Sequence, residues 1–149
     1  MKKLWPLALL AVVLVAADKP AADKKSDKDR FQGAWVVTGV EAKGEAVKDG
    51  ETFNQLKDMK LTFKDDAVIN SKHPKDEATF KIDADKKPAT IDVNIKGREG
   101  DSMRMLYEFK DDTTLRLCGS KKETERPKEF GSKEDQLVIT LKREDNKPN

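Results

Sequence analysis

The chain has 149 residues with one cysteine and one histidine, and charged residues make up 39% of it. Lys2 and Lys3 account for the net charge of +2, so that 28 basic and 28 acidic residues balance in the rest of the chain. This balance disfavours nucleic-acid binding, which needs a net positive face, and a single cysteine excludes an intramolecular disulfide.

The N-terminus has the features of a secretory signal peptide over residues 1–17. Two lysines precede an uncharged run of 14 residues, Leu4 to Ala17, which ends in small residues suited to signal-peptidase cleavage. The run is shorter than the ~20 residues of a transmembrane helix. We therefore expect an exported protein, periplasmic or extracellular, that keeps no membrane span after cleavage.

Residues 18–30, DKPAADKKSDKDR, carry many charges and no large apolar side chain. Such a segment cannot bury enough surface to offset the entropy cost of ordering it, so the sequence predicts a disordered charged linker. We expect one folded domain over residues 31–144, a length that suits a single core, and a disordered tail over residues 145–149.

From residue 33 onward, apolar and polar residues alternate with a period of two, which is typical of half-buried strands. No long helical pattern competes, although residues 51–58 allow one or two helical turns. The pattern predicts eight strands: Gly33–Ala42, Met59–Lys64, Ala67–Ser71, Ala78–Asp83, Ala89–Lys96, Met103–Lys110, Thr114–Cys118 and Leu137–Arg143.

The predicted fold is an all-β, eight-stranded antiparallel up-and-down barrel. The connections are mostly short, which favours sequential hairpins, and amphipathic strands without covering helices must close into a barrel or split into a sandwich. In a closed barrel the first strand pairs with the last, so Trp35 lies beside Arg143. We expect Gly33, Trp35 and Arg143 to close one end, with the guanidinium over the indole.

The tetrapeptide FKDD occurs at residues 63–66 and again at 109–112. Paired aspartates tolerate turn conformations, so both copies are interpreted as hairpin turns and not as cation or acid–base sites. If Phe63 and Ile69 share a face, and likewise Phe109 and Leu115, each turn needs an odd loop or a bulge.

Several segments together resemble a small secreted lipocalin-like domain of unknown function that is common in planctomycete bacteria. The resemblance is carried by residues 31–35 (FQGAW), 86–92 (KKPATID), 107–108 (YE), 115–118 (LRLC), 126–130 (RPKEF) and 141–143 (LKR), and it spans about residues 31–144. It implies an eight-stranded barrel and no particular activity.

An eight-stranded barrel is either filled by its own side chains or able to hold one small molecule. The predicted interior is mainly bulky, which favours a filled core, while an open interior would bind a small apolar ligand. Any cavity is expected near Met103, Met105 and Tyr107, where flexible thioethers can give way.

The chain offers little for catalysis or for metal and cofactor binding. His73 stands in a lysine-rich polar loop, and a zinc site needs three or four ligands. Cys118 is expected on the outside of its strand as a small, half-buried apolar residue, with a redox-sensing thiol or an intermolecular disulfide as the functional alternative. We expect no enzyme and no cofactor.

The connection from Gly119 to Gln136 is too long for a hairpin turn, and long loops are often functional. Arg126, Pro127 and Phe130 could form a contact for a protein partner, while the favoured interpretation has Phe130 closing a barrel end. The sequence thus leaves two functions open: an exported non-enzymatic barrel that binds a small apolar ligand, or a solid barrel that acts through the loop over residues 119–136.

Overall fold

The computed structural model describes residues 26–98 and 100–144. The signal peptide, most of the linker and the C-terminal tail predicted above lie outside the described residues. Two short helices and nine strands follow in chain order: α1 (Asp27–Phe31), β1 (Gly33–Ala42), β2 (Glu45–Ala46), α2 (Glu51–Leu56), β3 (Lys60–Lys64), β4 (Ala67–Asn70), β5 (Ala78–Asp83), β6 (Ala89–Ile95), β7 (Met103–Asp111), β8 (Thr114–Ser120) and β9 (Gln136–Arg143).

Eight of these strands close into an antiparallel up-and-down barrel, which confirms the predicted fold. Each of β3 to β9 pairs with its neighbour in sequence, and β1 pairs with both β3 and β9. The two-residue strand β2 extends the upper end of β1 and is not part of the wall. Closure gives every strand of the wall a neighbour on both sides, unlike the edge strands of an open sheet.

The barrel has two ends that the chain direction defines. The lower end contains the start of β1, the end of β9 and the two FKDD turns. The upper end contains α2, and the long loop leaves β8 and enters β9 there. The core follows the period of two along each strand. Its buried apolar residues are Phe31, Trp35, Val37, Val40, Met59, Phe63, Val68, Phe80, Ile91, Val93, Tyr107, Leu115, Leu117, Ile139 and Leu141.

The two FKDD turns differ. At the first, Lys64 pairs with Ala67 and Phe63 with Val68, so the turn needs no extra residue and Ile69 points outward. The premise that Phe63 and Ile69 share a face is therefore wrong. At the second, Phe109 pairs with Leu115, and the register shifts between Phe109 and Asp111, which is the predicted bulge.

The end of the predicted linker is ordered. Residues 27–31 form α1, whose N-cap Ser26 accepts a hydrogen bond from the Asp29 backbone N–H. The composition of the segment suggested disorder because it lacks apolar side chains of its own. The helix is ordered because Phe31, the residue that follows the segment, is fully buried in the barrel.

Candidate functional site

The barrel wall is shorter on the side formed by β3, β4 and β5. Strands β3, β4 and β5 have five, four and six residues, whereas β1 has ten and β7 has nine. Strands β4 and β5 share two residue pairs, Ala67 with Thr79 and Val68 with Ala78. Above these pairs the two strands diverge, so the wall opens at the upper end of β4.

A groove of about 800 Å³ lies at this opening. Its floor and walls combine inward-facing residues (Val68, Ala78 and Ile95) with outward-facing ones. Ile69 lines the groove and is 46% exposed. Among the described residues, it is the one large hydrophobic side chain that is exposed. The groove is open to solvent, and six of the residues that line it are polar or charged, but most of its exposed surface is apolar, as in small-molecule sites.

The charges around the groove are balanced. Asp76 and Glu77 stand on the side of β5, and Lys96 and Arg98 on the side of β6. The Lys96 ammonium lies 2.7 Å from the Glu77 carboxylate. This hydrogen bond and the opposite charge lower the pKa of Glu77 and raise the pKa of Lys96. With two charges of each sign, the rim has no net preference for a cationic or an anionic ligand.

Helix α2 lies at the upper end of the barrel, in the connection that leads to β3, and contacts β1. Phe53 and Leu56 pack against the core together with Val47, yet none of the α2 side chains is fully buried. The connection that contains α2 is bonded to β1 at its end, where the Val37 N–H donates a hydrogen bond to the Met59 carbonyl over 2.9 Å. The helix therefore adds the side chains of Phe53 and Leu56 to the edge of the core.

The lower end of the barrel is closed by the residues that the sequence singled out. Trp35 pairs with Arg143, whose guanidinium carbon lies 4.3 Å from the centre of the indole. Arg143 Nη1 donates to the Gln32 carbonyl over 2.7 Å, and its Nε donates to the Asp112 carbonyl over 3.2 Å. Gly33 has a φ of 111°, and a Cβ there would stand 3.1 Å from Arg143 Nη1.

Met103 and Met105 pack against the main core, and neither lines the groove. Tyr107 is buried, and its hydroxyl donates to Asp27 Oδ2 over 2.7 Å. Tyr107 also lines a second depression of about 350 Å³ outside the lower end, together with Arg30 and Phe130. The structure therefore does not gather the three predicted cavity residues into the groove, and their role as a ligand cavity stays a prediction.

The long loop lies against the outer wall. Phe130 is half-buried and packs on Leu106, Cys118 and Val138, which form a second apolar cluster outside the barrel. The prediction that Phe130 closes a barrel end is wrong, because these three residues have the outward parity of β7, β8 and β9. The Arg116 guanidinium lies over the Phe130 ring, with its carbon 5.2 Å from the ring centre.

The other two residues predicted for partner contact also have partners within the chain. Arg126 donates to Asp92 Oδ1 over 2.6 Å and to the Met105 carbonyl over 3.1 Å, and Pro127 is buried. Cys118 is fully buried beneath this loop, and its thiol donates to the Gly131 carbonyl over 3.2 Å. Burial raises the pKa of the Cys118 thiol, which makes the thiolate scarce.

Two structural features escaped the sequence analysis. Phe31 was placed at the domain boundary but not in the barrel, because strand parity says nothing about a residue that precedes the first strand. Ile69 lies on the outer face of a four-residue strand, where alternation alone cannot show that the next strand diverges. The connection from Ser71 to Glu77 gives no clear signal for the groove, because it is no longer than the connection from Lys96 to Ser102.

His73 lies in that same polar connection and is exposed. Among residues 26–98 and 100–144, no group of three or more His, Cys, Asp or Glu side chains is placed to hold a metal ion. Over the same residues, no helix is long and apolar enough to span a membrane. No family model, curated protein or solved structure matches the chain.

Proposed function

We propose that this protein is an exported, non-enzymatic barrel that binds a small apolar ligand at the groove between β4 and β5. The observation that supports the proposal is the opening in the low side of the wall, with exposed Ile69 beside the inward-facing Val68 and Ala78. A ligand there would cover apolar surface that water now contacts, which is favourable by ~25 cal/mol per Å².

The charge pattern of the groove supports an uncharged or internally balanced ligand. The Glu77–Lys96 pair is already satisfied, and Asp76 and Arg98 stand on opposite sides. A ligand with one strong charge would gain little from such a rim, because exposed ion pairs contribute ~0–1 kcal/mol. Binding strength would therefore come from the apolar floor.

Titration with phenylnaphthylamine, an uncharged probe that fluoresces in apolar surroundings, tests the site. We expect saturable binding by the unaltered chain and at least ~tenfold weaker binding by Ile69→Asp, because an apolar probe bound there would cover the new carboxylate and remove it from water. Thr38→Asp is the matched control: Thr38 is also an exposed strand residue and lies outside the groove. Equal binding by Ile69→Asp and the control would contradict the groove.

Measurements on protein purified from its own host test ligand binding and export together. Native mass spectrometry is expected to show a chain that begins at Asp18 and carries a small molecule released on denaturation. A chain that begins at Met1 would contradict export. Bare polypeptide, together with no probe binding, would refute ligand binding and leave the long-loop surface as the function to test.

A further inference from the structure

An ion pair stands in the groove directly beside its apolar residues. Glu77 precedes Ala78 at the start of β5, and Lys96 follows Ile95 at the end of β6. All four residues line the groove. Because a strand rises only ~3.3 Å per residue, a ligand that covers Ala78 or Ile95 lies next to both charges.

The backbone fixes the position of this pair. Ala78 pairs with Ile95 in the β5–β6 ladder, and the Lys96 N–H continues the ladder by donating to the Glu77 carbonyl over 2.8 Å. Since Ala78 and Ile95 face inward, Glu77 and Lys96 leave the outer face directly opposite each other. Lys96 Nζ then donates to a Glu77 carboxylate oxygen over 2.7 Å. The two charges are therefore held together by register as well as by their attraction.

The pair makes the groove electrically neutral where a ligand would bind. A ligand with a single charge would meet repulsion from one member as well as attraction to the other. It would also lose hydration on the apolar surface without gaining a partner of its own. Asp76 and Arg98, the other two charged residues of the groove, have opposite signs and add no net charge.

We infer that Glu77 and Lys96 determine the charge specificity of the groove, which takes uncharged apolar compounds and discriminates against amphiphiles with a single charge of either sign. This inference rests on the proposed function. The Lys96 and Glu77 side chains are 74% and 73% exposed, so their ion pair contributes little to the stability of the fold. Its effect is on the ligand, because removal of one member leaves the other to attract compounds of opposite charge.

Competition by three eight-carbon compounds against phenylnaphthylamine tests the inference. Octanol is uncharged, octylammonium is a cation and octanesulfonate is an anion, and the measured quantity is the ratio of the inhibition constants of the two ions. Lys96→Gln is expected to shift this ratio in favour of octylammonium by about two- to fivefold. Glu77→Gln is expected to shift it by a similar factor in favour of octanesulfonate, and both variants should bind octanol as the unaltered chain does.

The ion pair between Lys133 and Glu129 supplies matched controls. Its N–O distance is also 2.7 Å, its side chains are 75% and 71% exposed, and it lies outside the groove. Lys133→Gln and Glu129→Gln change the net charge of the protein by the same amounts as the groove variants. They should leave the ratio for the two ions unchanged, which separates a local effect from an effect of overall charge.

Ionic strength provides a second readout. In 1 M NaCl, which screens charges beyond ~3 Å, the shifts caused by Lys96→Gln and Glu77→Gln are expected to shrink towards the control values. Probe binding with the same ion ratio in the groove variants and the control variants would overturn the role of Glu77 and Lys96 alone. Absence of probe binding by the unaltered chain would overturn the proposed function.

Discussion

Arg143 lies over the indole of Trp35, 4.3 Å from the ring centre, and both side chains donate hydrogen bonds to the chain that enters the barrel. The contact thus does more than close the sheet. The indole and the guanidinium hold three carbonyls that precede β1, and these carbonyls position the Phe31 ring. One pair of side chains connects the first strand, the last strand and the helix outside them.

Gly33 stands where this arrangement leaves no room for a side chain. Its φ of 111° is a conformation that other residues rarely adopt, and an added Cβ would meet Arg143 Nη1 at 3.1 Å. We expect Gly33→Ala to lower the free energy of unfolding by about 1–3 kcal/mol. Urea unfolding followed by circular dichroism measures the change.

Gly39→Ala is the control for that substitution. Gly39 also lies on β1, but its added Cβ would make ordinary contact with Thr140 at 3.7 Å. Its effect should be clearly smaller. Equal losses of stability in the two variants would mean that Gly33 is required only as a strand residue and not for the approach of Arg143.

Arg143→Met keeps an apolar stem over Trp35 but removes every donor. Hydrogen bonds from charged groups contribute ~1.5–3 kcal/mol each and do not add fully, so we expect a loss of about 2–4 kcal/mol. Arg104→Met, at an exposed position on β7, should change stability by less than about 0.5 kcal/mol. Similar changes in the free energy of unfolding for the two variants would show that Arg143 does not contribute to closing the barrel.

The sequence predicted the contacts that depend on strand alternation, but not the contacts that a long loop makes. Strand parity along 31–144 predicted the barrel and the neighbourhood of Trp35 and Arg143, because alternation and closure together fix which residues face inward. The position of Phe130 could not be obtained in this way, since a long loop has no register. Its outer cluster depends on Cys118, which is on the outward parity and whose burial requires the loop itself.

The burial of Cys118 predicts a protected thiol. Its side chain is fully covered by the loop, and its pKa is raised, so thiolate reagents should react only when the loop or the domain opens. We expect Ellman's reagent to label the protein at a rate that urea increases in parallel with unfolding. Phe130→Ala should accelerate labelling in the absence of urea, whereas Phe53→Ala, on α2, should not. Rapid labelling of the unaltered chain would instead favour a redox-sensing thiol.

Tyr107 makes stability sensitive to alkaline pH. Burial, followed by the hydrogen bond to Asp27, raises the pKa of Tyr107 above its ordinary value of 10.0. Below pH 10 the phenol is protonated in both the folded and the unfolded chain, so it causes no pH dependence there. Above pH 10 the unfolded chain releases this proton and the folded chain keeps it. Stability should therefore fall as pH rises, by at most ~1.4 kcal/mol per pH unit from this group.

The chain contains one tyrosine, so tyrosinate absorbance reports on Tyr107 alone. We expect that absorbance to appear together with unfolding, at a pH well above 10, in a single cooperative step. Tyr107→Phe should retain the alkaline unfolding that the lysines cause but lose the additional slope above pH 10. Asp27→Asn should bring the appearance of tyrosinate to lower pH, because the carboxylate no longer opposes the phenolate charge. Tyrosinate formation near pH 10 in a chain that remains folded would show that the Tyr107 hydroxyl is open to water and that α1 does not seal the barrel.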